Sequence, residues 1–375
     1  MKHRRYWVAG IAALVVAAAT AFAVTAAGGT KRAHSPKLTK VTLQLKWVTQ
    51  AQFAGYYAAK EKGYYRQAGL DVTIKPGGPD IIPETVVAGG AAQFGLDWVS
   101  NLLAARDSGT KLVDIAQVFQ RSGMTEITWK DTGLNTIAKL RGKKVGNWLG
   151  GNQWELFAAL ARAGMDPTHN KGVTIVKQPF DMNLFLRRQI DAASAMTYNE
   201  YAQVLESKNP KTGKLVKPSE LNVMKMQSIG TGMLEDDVFV TDKWIKSKSN
   251  QAIAKKFLAA SFKGWIYCRD HLSDCTNIVL RNGTALPHGH QRWMMNEINA
   301  LVWPSPKGIG IMDPKSFART ARISKQFGVI KKPATSVAYR NDLARAALAT
   351  LRAQHVDVYG RRWHKANVKV TPGGK

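Results

Sequence analysis

The residues Val41-Thr42-Leu43-Gln44-Leu45-Lys46-Trp47 alternate apolar and polar side chains with a period of two, the pattern of a half-buried strand. Residues 51–68 place Phe53, Tyr56, Tyr57 and Ala58 at helical spacing, and Gly69 ends that helix. Asp71 to Ile74 reads as a second strand, closed by Pro76-Gly77-Gly78-Pro79. A helix through Val86 and Val87, a strand from Gln93 to Leu96, a helix around Leu102 to Ala105 and a strand from Leu112 to Val118 follow. This β-α-β-α rhythm predicts a doubly wound, mainly parallel sheet.

The rhythm restarts after Trp129. Leu140 to Gly146 closes a short helix and opens a strand. Helix 153–164, strand 173–176, helix 181–190, strand 192–196 and helix 199–206 come next. A basic loop spans Asn209 to Pro218, strands are expected near Val223 to Gln227 and Asp237 to Val240, and the pattern from Asn250 onward is almost wholly helical. Two α/β units of this kind predict two lobes, 41–128 with 231–375 and 129–230, joined by crossings near Thr125–Lys130 and Ile229–Val240. Ligands of open α/β sheets bind beyond the carboxyl ends of the strands, and domain interfaces are favoured sites, so the expected site is a cleft between the lobes.

Residues 1–40 read differently. Lys2, Arg4 and Arg5 precede an apolar run from Val8 to Ala27 that closes on small residues, the layout of a secretory signal. The run also meets the length of roughly 18 residues that spans a bilayer, so an uncleaved anchor is the alternative. Lys31 to Lys40 is a basic linker. A periplasmic or otherwise extracytoplasmic location follows from either form. In that compartment Cys268 and Cys275 are expected to pair, although two unpaired thiols are the plainer reading. On one unbroken helix their Cα atoms would stand roughly 10 Å apart, so a bond needs a helix break at Asp270 to Asp274.

The formal charge is +28, and +21 remains after the first forty residues. A basic surface suits polyanions. The basic residues are nevertheless scattered and carry no nucleic-acid-binding motif, so a solvated cationic surface is the reading and no nucleic-acid partner is expected. The eight histidines show no metal-ligand spacing, and His288-Gly289-His290 reads as an exposed loop. No nucleophile motif is present.

The continuous stretch from Leu45 to Tyr65 resembles the opening of the NMT1/THI5-like family, and Gly69-Leu70-Asp71-Val72 continues the match. The resemblance runs from about Val41 to Val240 and fades in the helical tail. It implies a two-lobed periplasmic-binding fold of type II, here with a helical C-terminal extension. It also implies the solute-binding component of an ABC importer, a monomer working with permease and ATPase subunits and needing no cofactor. Gly77-Gly78-Pro79-Asp80, Ala116 to Gly123 and Trp148 to Asn152 are most similar to the branch for riboflavin or thiamin pyrimidine uptake. Sulfonate, taurine and nitrate binders are the alternative within the same fold.

The family also contains a thiamin pyrimidine synthase, which holds pyridoxal phosphate on a lysine and has a histidine four residues on. Asp97 and Asn101 stand at those positions here, and neither supplies the amine of a Schiff base. Two cysteines are also too few for that enzyme's cysteine-rich motif, so no enzymatic activity is expected.

Trp47 ends the first strand and offers a stacking face; covering the strand end is its ordinary structural role. Gly150-Gly151-Asn152-Gln153-Trp154 joins a strand to a helix and would present N–H groups to a ligand, or be a plain tight turn. Tyr198 offers a second stacking face, with Asn199 and Glu200 as polar readers or simply as the start of the next helix. Gln52, Tyr56, Asp97, Trp98 and Gln120 complete the candidate set. Of the strand-end positions only Arg121 is read as cationic, whereas a small oxyanion needs several cationic or N–H donors, so a planar heterocycle fits better.

Overall fold

The computed structural model describes residues 37–375, so the signal or anchor expected within residues 1–36 lies outside the described residues. Ten strands form two five-stranded sheets. The first contains β1 (Thr39–Gln44), β2 (Leu70–Lys75), β3 (Phe94–Asp97), β4 (Leu112–Gln117) and β10 (Asp237–Thr241), in the order β2-β1-β3-β10-β4. The second contains β5 (Met124–Trp129), β6 (Lys144–Asn147), β7 (Thr174–Lys177), β8 (Ala192–Met196) and β9 (Leu221–Lys225), in the order β7-β6-β8-β5-β9.

β1 pairs in parallel with β2 and β3, in register from Thr39 opposite Leu70 to Gln44 opposite Lys75. β6 does the same with β7 and β8. Each sheet also holds one antiparallel strand, β10 between β3 and β4, and β5 between β8 and β9. In each case the chain delivers that strand directly from the other sheet. The first crossing therefore lies at residues 118–123, earlier than Thr125–Lys130, because residues 124–129 are wholly buried and paired inside the second sheet. The second crossing, 226–236, contains the short helix Met226–Ile229. The two crossings touch where the Gly123 amide donates to Glu235 Oε1 at 2.6 Å.

Alternation explains β1. Val41, Leu43 and Leu45 are buried, and each such side chain contributes about 1.5–3 kcal/mol through removal from water. The helical pattern over 51–68 is broken in two, Ala54–Glu61 and Tyr64–Gln67, because Gly63 takes a left-handed conformation between them. The expected helix over 181–190 shrinks to Asn183–Leu186.

The C-terminal region is helical, with Lys248–Asp270, Leu272–Asn282, His288–Val302, Pro314–Gln326 and Asp342–Ala353 as its longer helices. Helix Lys248–Asp270 lies against Ala54–Glu61, where Gly264 faces the Gly55 carbonyl so closely that a Cβ would collide with it. The Cys268–Cys275 disulfide has a Cα–Cα distance of 5.3 Å. It spans a helix break at His271 (φ −130°, ψ 59°), which brings the two chain segments within reach. Among the described residues no helix is long and apolar enough to cross a membrane.

Candidate functional site

The carboxyl ends of the parallel strands in both sheets open onto one cavity of about 760 Å³. Lys46 and Trp47 follow β1, Asp97 ends β3 and Trp98 follows it. Trp148 and Asn152 follow β6, Phe180 follows β7, and Tyr198 to Glu200 follow β8. The volume falls within the range of small-molecule sites, and the position is the one expected for ligands of open α/β sheets.

Of the candidate residues, Trp47, Gln52, Asp97, Trp98, Gly150, Asn152, Tyr198, Asn199 and Glu200 border this cavity. Several of their polar atoms are already engaged. Gln52 donates to both carboxylate oxygens of Asp236 at 3.0 Å, and the Trp98 indole donates to Asp236 Oδ1 at 3.2 Å. Asp236 belongs to the second crossing, so these bonds tie the cavity wall to the connection between the sheets. Asp97 Oδ1 accepts from the Trp98 amide at 2.6 Å, from Asn101 at 3.0 Å and from Lys46. Glu200 accepts from the Met196 amide at 3.0 Å and from the Asn199 side chain at 2.9 Å.

Four candidates lie off the cavity wall. Tyr56 turns inward from helix Ala54–Glu61 and packs edge-on against Trp265 with ring centroids 5.7 Å apart, because that helix face is sealed by Lys248–Asp270. Gln120 donates to the Gln117 carbonyl at 2.7 Å. Gly151 serves a turn, with φ of +91° and its amide donating to Gln153. Trp154 joins a cluster with Ala158, Met233 and Ile323. Arg121 also points elsewhere, donating to the carbonyls of Leu301, Trp303 and Pro304. His290 is not in an exposed loop. It is buried on helix His288–Val302, with Nδ1 on Glu206 and Nε2 on Asn199 Oδ1 at 3.0 Å, and so fixes the orientation of the Asn199 amide.

Sequence reasoning missed Lys46, Glu84, Trp148 and Phe180, all of which line the cavity. For Lys46 the signal was present, since it stands beside Trp47 at the end of β1. Burial pulls its pKa down, but the charge of Asp97 and its hydrogen bond more than offset this, leaving it raised. The carboxylic acids shift upward. Glu84 moves to about 8 through burial and then the nearby charge of Asp97, while Glu200 and Asp236 move to about 7, chiefly through burial. Lys46 is the one cation on the cavity wall among the described residues, and it is paired with Asp97. Among the described residues no group of three His, Cys, Asp or Glu side chains is arranged to hold a metal.

A family model described as NMT1/THI5 like matches residues 50–273. The chain is 24% identical over 315 residues to the riboflavin-binding protein RibY of Chloroflexus aurantiacus, covering 80% of this chain and 84% of that one. It is 29% identical over 145 residues to a 4-amino-5-hydroxymethyl-2-methylpyrimidine phosphate synthase of Legionella pneumophila, covering 38% of this chain and 45% of that one. Among solved structures, a putative periplasmic sulfonate-binding protein, SsuA of Methylobacillus flagellatus, superposes with a TM-score of 0.61 at 16% identity, covering 84% of this chain and 96% of that one. That likeness shows the fold: two lobes of the periplasmic-binding type II architecture, with mainly parallel sheets and a helical C-terminal region.

Proposed function

The chain belongs to the NMT1/THI5-like family, and from that premise we propose that it is the extracytoplasmic solute-binding component of an ABC importer, capturing a small aromatic heterocycle of the thiamin-pyrimidine or riboflavin type. The observation that carries this reading is an inter-sheet cavity walled by Trp47, Trp98, Trp148, Phe180 and Tyr198 whose one cation among the described residues, Lys46, is already paired with an acid. Aromatic walls stack on planar rings. A sulfonate or nitrate needs several cationic or N–H donors converging on its oxygens, and Lys46 is committed to Asp97. In this role the loaded protein would deliver its ligand to permease and ATPase subunits at the membrane, and the basic, apolar start of the sequence suits export.

A thermal-shift screen over riboflavin, aminopyrimidines, taurine and nitrate tests the assignment. Stabilisation by a heterocycle is expected, and stabilisation by taurine or nitrate alone overturns it.

The synthase relatives make an enzyme the second reading. A Schiff base forms on a neutral amine, and Asp97 keeps the Lys46 amine protonated. Mixing the protein with pyridoxal phosphate is therefore expected to give no lysine Schiff-base absorbance band.

A further inference from the structure

Three buried polar atoms on residues lining the cavity have no hydrogen-bond partner among the described residues: Glu84 Oε1, Asn152 Oδ1 and Trp148 Nε1. The first two are acceptors and the third is a donor. Glu84 is 3% exposed and Trp148 6%. They come from both lobes, Glu84 from the first turn of helix Pro83–Ala88 and the other two from the segment after β6. Buried polar atoms are almost always satisfied, so these select the ligand groups that complete them.

We propose that the cleft takes its ligand in cationic form, as a planar aromatic base bearing an amidinium-type group. Glu84 is its counter-ion, Asn152 accepts a further N–H, and Trp148 donates to a ring nitrogen or carbonyl oxygen. The proposal rests on reading this cavity as the solute site and specifies the class of solute.

Charge supports it. Glu84, Asp97 and Glu200 face the cavity with Lys46 as the one cation among the described residues; Lys46 is paired with Asp97, which leaves two carboxyl groups able to take up the charge of an incoming cation. The excess of basic residues in the sequence acts through salt-screened water, over which charges more than about 8 Å apart are largely screened, so the nearby carboxyl groups weigh most on what the cleft holds. The charged groups facing Glu84 come from all three strands against which its helix packs: Lys46 beyond β1, Asp97 on β3 and Asp237 on β10. With its pKa raised to about 8, Glu84 holds a proton in the empty cleft at neutral pH. A cation placed beside it expels that proton, whereas a neutral ligand leaves it in place.

Benzamidine, benzamide and benzenesulfonate test this as cationic, neutral and anionic probes of similar shape. Calorimetric titration at pH 7.5 in two buffers of different ionisation enthalpy gives affinity and proton release together. Benzamidine is expected to bind about tenfold or more tighter than benzamide, with release of a proton, as a charge-assisted hydrogen bond requires. In Glu84→Gln the affinity ratio should fall toward one and the proton release disappear. Equal binding of the two probes, benzamidine binding without proton release, or no benzamidine binding overturns the proposal. If the Gln variant fails to fold, the proton release of the unaltered protein decides alone. A neutral heterocycle that stabilises the protein while benzamidine fails removes the charge selection and leaves the aromatic-cleft reading standing. Stabilisation by taurine or nitrate alone removes both.

Discussion

The indole of Trp47 and the ring of Phe180 meet across the cleft, one from each lobe, with centroids 5.0 Å apart and planes tilted by 59°. Phe180 remains half exposed, and Trp47 is only partly buried. Neither ring is a core residue, although an aromatic residue at a strand end is ordinarily read as core. Together they form an aromatic edge that a planar ligand can contact from within.

Trp47→Ala should weaken binding of whichever heterocycle stabilises the unaltered protein by about 1–3 kcal/mol, the range for loss of one stacking face. Ligand addition should quench Trp emission, and the quench should shrink in the variant. An unchanged dissociation constant would remove Trp47 from the site.

Stability should fall as pH rises from about 4 to about 8. Burial raises Glu84, Asp114 and Glu155 to about 8, and Glu200 and Asp236 to about 7. The unfolded chain releases these protons near its ordinary carboxylate pKa of about 4, so between the two values the folded state holds more protons. The contribution is complete below pH 4 and is lost as pH rises through 7 and 8. Asp131, held near 2 by Arg188 and Lys211, acts in the opposite sense below pH 4. Melting temperatures at pH 5 and pH 8.5 check the sign, with the lower value expected at pH 8.5. Asp114→Asn should flatten the profile.

Gly264→Ala should destabilise the protein by about 1–3 kcal/mol, the usual cost of forcing a methyl group into a packed interface. The methyl group would meet the Gly55 carbonyl and push apart the two helices that seal Tyr56 and Trp265. Denaturant unfolding measures it, and a loss below a few tenths of a kcal/mol would mean the helices can separate freely.

Reducing the Cys268–Cys275 disulfide should cost about 2–3 kcal/mol through the closed loop of a short chain segment. Unfolding with and without reductant gives the difference directly, and identical transitions would mean the bond adds nothing.

What the sequence disclosed followed from local order. Alternation in β1 and the repeated helix-strand rhythm fixed where strands end, and so put Trp47, Trp98 and Tyr198 near the cleft edge. Residues 124–129 escaped because Thr125, Glu126 and Thr128 read as solvent-facing positions, yet all three are buried in the sheet, so the strand passed for a connection. Tyr56 was misplaced because its helix has two apolar faces, and the helix that claims one of them lies some two hundred residues later. Glu84 and Phe180 escaped for a related reason. A lone acid in a helix's first turn and a lone aromatic in a loop look ordinary until the second sheet is set opposite the first.

The exchange of antiparallel strands also dictates an order of assembly. As the chain emerges from its N-terminus, β1 to β4 are available first, but β4 has no neighbour in its sheet until β10 arrives at Asp237–Thr241. The second sheet has no such wait, since β5 to β9 form one uninterrupted stretch. The lobe specified later in the sequence can thus finish first, and the N-terminal lobe must be kept from aggregating from Gln117, where β4 ends, until Asp237, where β10 begins. Truncation anywhere between β9 and β10 should leave one lobe able to form its full set of strands and the other with an open, unpaired edge.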